Sequence, residues 1–142
     1  LKTRECPHCL GSPYFVWNYQ IDGARLRSAL NSMNSLGGRV IGLRLGQRSE
    51  SQRVLQVSVQ GEKGGVDLSA PDFRRLLGRD LLRSTNFTVK EKDGVFLFAG
   101  LGWGHGAGLC QWGMKGMAEN GEGYRSILRY YYKDVTFGKL PG

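Results

Sequence analysis

Residues 85–100 read TNFTVKEKDGVFLFAG, and this stretch decides the architecture. Thr85 to Glu91 and Gly94 to Gly100 flank Lys92-Asp93-Gly94, and an Asp-Gly step supplies the positive φ angles that a tight hairpin demands. Two adjacent antiparallel strands are expected. Working outward, Val40 to Leu45 and Arg53 to Gln60 read as further strands; in the second, Leu55, Val57 and Val59 alternate with Gln56, Ser58 and Gln60, the period of a strand with one wet face. Tyr14 to Ile21 (YFVWNYQI) is aromatic and β-branched and reads as another.

Helix signals lie between these strands. Asp22 is an N-cap candidate, and Leu26, Leu30 and Met33 share one face of a helix expected over Ala24 to Asn34, closed by Gly37-Gly38. Ser69-Ala70-Pro71-Asp72 combines a capping hydroxyl, a first-turn proline and an acid, so Phe73 to Leu77 should be helical and stop at Gly78. Leu109 to Glu119 and Tyr124 to Tyr131 complete the set, with Asn120-Gly121 between them. No repeat or low-complexity linker divides residues 1–142. The fold class read from this is α+β, a single domain with a mainly antiparallel sheet and three or four short helices.

A chain of 142 residues is the size of one ordinary domain with one core, and 40% apolar residues exclude a disordered or collagen-like chain. No apolar window approaches the ~18 residues of a membrane span, so no transmembrane segment is expected in this chain. Leu1 to Glu5 lacks the apolar run of a secretion signal, and the absence of an initial Met suggests a piece of something longer. The net charge of +8 favours anionic partners such as nucleic acid, acidic lipid or envelope polymers. Lys and Arg are scattered rather than clustered, which makes nucleic acid an unexpected partner and leaves a merely solvated surface as the plain alternative.

Glycine is over-represented, 22 residues, and is densest between Gly100 and Gly116. There Gly102-Trp103-Gly104-His105-Gly106-Ala107-Gly108 sets one histidine among glycines directly before a helix start. Such a loop allows unusual backbone angles and close approach of a ligand to the main chain. The alternative is that the glycines only let Trp103 and Trp112 pack, with His105 a hydrogen-bonded core residue.

The run FAGLGWGHGAGLCQWGMKGMAENGEGYRSILRYYYKDV, Phe98 to Val135, resembles the C-terminal signature of the stage II sporulation protein D (SpoIID) family: a GWGHG loop, a QWGA-like helix start, MAxxG and a YxxILxxYY helix. Met114 stands where the family commonly has Ala. Upstream, Phe73 to Gly78 with Leu82-Arg83-Ser84 is similar to its FRxxLG and LxS segment, and Ser12-Pro13 with Trp17 to its SPxxxW stretch. The resemblance implies the C-terminal part of a SpoIID-like domain in the bacterial cell envelope, outside the cytoplasm, working on peptidoglycan glycan strands. The implied activity is that of a lytic transglycosylase cleaving the bond between N-acetylmuramic acid and N-acetylglucosamine, or that of a non-catalytic glycan-binding module or amidase enhancer with a cell-wall amidase as partner. The family's catalytic glutamate sits in an AAEMP-like segment that this chain lacks. Glu5, Glu50, Glu62, Glu91, Glu119 and Glu122 match no such context, so the isolated chain is expected to be inactive, with the upstream half of the same protein as a further partner. On this reading Trp103 and Trp112 stack on sugar faces and Gln111 bonds hydroxyl or N-acetyl groups. Arg83 pairs with a muramyl carboxylate, and His105 supports catalysis by orienting the acid or the substrate. Core packing remains the alternative for both tryptophans, and simple solvation for Arg83.

Cys6-Pro7-His8-Cys9 is the usual half of a zinc site, and Cys110 with His105 offers the second half. One site of Cys6, Cys9, Cys110 and either His105 or His8 would use every cysteine in the chain. The SpoIID family in part carries a metal-binding Cys-x4-His in the corresponding stretch; here Tyr14 stands where that His would be. A redox-active Cys6–Cys9 disulfide and unmetallated thiols are the other readings.

Overall fold

The computed structural model describes residues 7–9, 11–13, 15–30, 36–106, 108–132 and 134–138. They form two antiparallel three-stranded sheets and four α-helices, an α+β fold. Two compact units emerge, one spanning 14–105 and one combining 1–13 with 106–142.

In the larger unit, β1 (Val16–Asp22) leads into α1 (Gly23–Ala29), followed by β2 (Val40–Leu45), β3 (Gln56–Gly61), β4 (Gly64–Ser69), α2 (Ala70–Leu77), β5 (Phe87–Lys92) and β6 (Val95–Leu101). One sheet has the order β1-β6-β5 and the other β2-β3-β4. The hairpin forms where it is expected. Lys92 pairs with Val95, and the two residues between them, Asp93 and Gly94, have φ of 53° and 76°, the geometry that matches the twist of the flanking strands. Phe96, Phe98 and Gly100 then face inward while Leu97, Ala99 and Leu101 face out.

Gly100 is the tightest point of that sheet. It pairs with Trp17 on one side and Phe87 on the other, and the Trp17 indole lies across it to within 6.3 Å of the Phe87 ring centroid. A Cβ at position 100 would overlap that indole. Phe73 of α2 joins the same cluster, its ring 6.2 Å from Phe98. The caps are the ones the sequence signals: Asp22 accepts the Arg25 N–H at 2.8 Å, and Ser69 accepts the Asp72 N–H at 3.1 Å. Because Pro71 fits the first turn, α2 starts three residues before the expected Phe73 and ends at Gly78, φ 105°.

Other boundaries differ. The helix expected to reach Asn34 has its last described turn at Ala29, with Leu30 as C-cap; Met33 lies outside the described residues. The strand expected from Arg53 begins at Gln56. Val54 and Val57 both turn inward, which shifts the alternation and leaves Leu55 half exposed, its N–H bonded to the Gln47 carbonyl at 2.9 Å. Strand β4 lies outside the strands expected from the sequence: Gly64 and Gly65 mask its apolar positions Val66 and Leu68, and Glu62-Lys63 make the two-residue turn before it.

The smaller unit holds a 3-10 turn (Pro7–Cys9), α3 (Gln111–Glu119) and α4 (Tyr124–Tyr131). Helix α3 begins two residues after the expected Leu109, because Cys110 takes the N-cap position. Its buried residues are Gly113 and Met117, and α4 buries Ile127. The Cβ of an alanine at Gly116 would lie 2.7 Å from the His8 carbonyl oxygen, so the turn is seated directly on the helix.

Replacing Gly100 by Ala forces Trp17 off its rotamer and should destabilise the larger unit by about 1–3 kcal/mol. A lowered urea midpoint with unchanged slope, followed by far-ultraviolet circular dichroism, checks this.

Candidate functional site

The glycine-rich segment leaves β6 and is strapped down at once. Gly102 N–H donates to the Phe15 carbonyl at 2.7 Å and Gly104 N–H to the Arg83 carbonyl at 2.8 Å. Arg53 Nη1 donates to the Gly104 carbonyl at 3.2 Å. Gly102 and Gly104 have φ of 73° and 111°, which a side chain at either position would resist. These two residues carry Trp103 between them, and Trp103 is 49% exposed. His105, next along, is also exposed, so the reading that sealed both in a core does not hold in this unit.

Arg83 lies beside Trp103, its Cζ 5.0 Å from the ring centroid, the range of a cation–π contact. The segment carrying Arg83 is itself fixed by a neighbour. Arg74 of α2 donates from Nε to the Leu82 carbonyl at 2.6 Å and from Nη2 to the Arg83 carbonyl at 2.9 Å. Ser84, fully buried, donates to the Leu101 carbonyl at 2.7 Å and ties the same segment to the end of β6.

Arg53 thus bonds the loop directly, Arg83 lies against its tryptophan, and Arg74 fixes the segment that carries Arg83. Burial lowers the pKa of Arg53 from its ordinary value, and the positive charge of Arg74 adds to this. Arg74 is lowered by burial and by Arg79, with Asp80 acting in the opposite direction. Both stay protonated at any physiological pH. Among the described residues neither Arg53 nor Arg74 takes part in an ion pair; their donors are spent on backbone carbonyls. The positive field near Trp103 therefore has no carboxylate in direct contact with those two sources. Among the described residues two carboxyls have displaced pKa values, Glu62 through hydrogen bonds from Arg39 and Asp72 through hydrogen bonds from Ser69 and Arg75. Both are lowered, the direction opposite to that of a group meant to donate a proton.

In the smaller unit Gln111 is exposed in the first turn of α3, and Trp112 is half-buried with Lys115 Nζ 5.0 Å from its ring centroid. Cys9 and Cys110 meet: their Sγ atoms are 3.1 Å apart, and Cys110 Sγ also accepts the Gly113 N–H at 3.4 Å. Leu109 N–H donates to the Tyr132 hydroxyl at 3.3 Å, and the His8 ring stands edge-on to Tyr130 at 6.2 Å. Cys6 lies outside the described residues. Among the described residues no three His, Cys, Asp or Glu side chains converge as a metal cluster.

The structure thus joins Arg83 to Trp103 in one unit and Cys9 to Cys110 in the other. Sequence reasoning missed Arg53 and Arg74 as parts of the loop's support. Arg74 sits inside the FRxxLG-like run, but nothing in the residue order shows which carbonyls it reaches. Removing the Arg53 clamp by Arg53→Met leaves the Gly104 carbonyl without its donor, and a loss of about 1–3 kcal/mol in urea unfolding is expected.

The model of a domain of unknown function, DUF8618, matches residues 6–108. An uncharacterized protein of Brachyspira hyodysenteriae is 45% identical over 69 residues, 49% of this chain and 19% of that protein. A Bacillus subtilis protein named amidase enhancer is 33% identical over 100 residues, 64% of this chain and 14% of that protein. A Bacillus amyloliquefaciens protein named stage II sporulation protein D is 34% identical over 92 residues, 65% of this chain and 25% of that protein. The matches span 14 to 25% of the length of these curated relatives. Among the described residues no helix is long and apolar enough to cross a membrane.

Proposed function

The chain belongs to the DUF8618 family and is related to stage II sporulation protein D, and we propose that it serves in processing the peptidoglycan glycan strands of a bacterial envelope, outside the cytoplasm. The observation that carries this reading is Trp103, half in solvent, on a backbone strapped at Gly102 and Gly104, with Arg83 against its ring. A flat, rigid indole matches the C–H face of a pyranose, and a neighbouring guanidinium matches an acidic sugar such as muramic acid with its carboxylate free. The field of Arg53 and Arg74 strengthens that preference for an acid. His105 supplies an exposed imidazole in the same unit as Trp103; Gln111 and Trp112, in the smaller unit, are proposed as sugar contacts in their own right.

The finer proposal is lytic transglycosylase chemistry. One carboxyl protonates the glycosidic oxygen, then assists the muramyl 6-hydroxyl in attacking the anomeric carbon, a task that needs a raised pKa. In this reading that carboxyl comes from a segment other than residues 1–142, and this chain contributes the cleft. The relative named amidase enhancer favours a second reading, in which the same platform only binds glycan and brings it to a cell-wall amidase. Product analysis of the full-length protein on peptide-free glycan separates the two: anhydromuramic ends support the enzyme, binding without new ends supports the module, and neither binding nor new ends removes both.

Zinc belongs to the proposal on the ligands that the sequence offers, Cys6, Cys9 and Cys110 with His8, or with His105 in its place. Cys9 and Cys110 fit it chemically, as two thiols that already share one position in the smaller unit. When bound, the ion would act as a structural tie between ligands distant in sequence. About one equivalent of zinc is expected in protein purified without added metal. Metal analysis showing none, or an unchanged content in Cys110→Ser, would remove it.

Trp103→Ala should weaken binding of peptide-free glycan about tenfold, the loss of roughly 60 Å² of apolar contact at ~25 cal/mol per Å². Isothermal titration checks this, and unchanged affinity contradicts the assignment.

A further inference from the structure

We propose that Cys9 and Cys110 are a disulfide-forming pair whose closure covalently joins the two chain segments of the smaller unit. The inference is independent of the glycan reading. The two sulfurs are 101 positions apart in sequence and 3.1 Å apart in space. Backbone packing holds them there. Cys9 ends the 3-10 turn, and its carbonyl accepts the Ser12 N–H at 2.9 Å. Cys110 caps α3, its sulfur tied to the Gly113 N–H at 3.4 Å. The turn lies on α3 at Gly116, where only a missing side chain leaves room for the His8 carbonyl. The edge-on contact of His8 with Tyr130 adds a second hold, from α4.

Pairing of this kind raises the effective concentration of one sulfur at the other, which is what favours closing a ring over remaining a mixed disulfide. Both cysteines are only partly buried, so a small oxidant reaches them. The oxidant is a disulfide, R–S–S–R, of the glutathione class. One cysteine thiolate attacks it, forming a Cys–S–S–R bond and releasing R–SH after protonation. The second cysteine gives up its proton and displaces the remaining R–SH. Two electrons and two protons pass to R–S–S–R, and the Cys9–Cys110 bond is left. Cys6 stays a thiol, in contrast to the Cys6–Cys9 bridge that the Cys-x2-Cys spacing suggests.

The test equilibrates the whole chain with glutathione disulfide after exhaustive chelation, so that a metal cannot hold the sulfurs. Remaining thiols are blocked with iodoacetamide and the protein is digested with trypsin without reduction. Cleavage leaves Cys6 and Cys9 together on residues 5–25 and Cys110 on residues 93–115, so mass alone separates the two bridges. The expected product is the cross-linked pair carrying one alkylated thiol. Cys6→Ser should retain the cross-link, and Cys9→Ser and Cys110→Ser should lose it. Gly116→Ala, with unchanged circular dichroism, should close several-fold more slowly because the turn is pushed off the helix. A Cys6–Cys9 bridge, three alkylated thiols, a link between separate molecules, or a cross-link that survives Cys9→Ser would overturn the assignment.

Discussion

Both backbone groups of Gly104 are committed inside the larger unit, the N–H to the Arg83 carbonyl and the carbonyl to Arg53. That double anchor turns a glycine-rich loop, which on composition alone would sample many shapes, into a fixed support for Trp103. Ordering each loop residue costs roughly 1–2 kcal/mol of conformational entropy. Charge-assisted hydrogen bonds of about 1.5–3 kcal/mol offset part of that before any ligand arrives. A ligand that meets an ordered loop does not bear the ordering cost itself, the ordinary advantage of preorganisation.

The anchor depends in turn on arginines rather than on the sheet. Arg74 reaches from α2 to the carbonyls of Leu82 and Arg83, and Arg83 then presents its carbonyl to Gly104 and its guanidinium to Trp103. The same residues therefore supply shape and charge. Holding cations this close without a carboxylate on Arg53 or Arg74 is unfavourable for the unit alone and favourable for an anion placed over the loop. The net charge of +8 has the same sign, but only this local concentration gives it direction.

What the residue order made legible was mostly local. Asp93-Gly94, Asp22, Ser69 with Pro71, and Gly78 each act through their own backbone within a turn, and each sits where the sequence places it. Contacts between distant segments were less readable. The phase shift that brings Val54 inward with Val57 arises from pairing with residues 46–48 and 85, and β4 is concealed by two glycines that weaken its alternation. At the site, the glycine spacing announced an accessible loop around Trp103. The reach of Arg53, 51 positions away, did not show in any motif, since a long flexible side chain carries no periodicity that reveals its partner. The place of Cys110 as a helix cap was not legible, because Cys is an uncommon capping residue.

The three tryptophans distinguish a sugar platform from core packing, since Trp17 is buried, Trp112 half-buried and Trp103 half exposed. In a two-dimensional 15N NMR titration with a peptide-free muramic-acid-containing oligosaccharide, the Trp103 indole N–H and the Gly102 and Gly104 amides should shift together while the Trp17 indole stays in place. Saturating sugar that leaves Trp103 and both glycines unmoved would contradict the sugar platform.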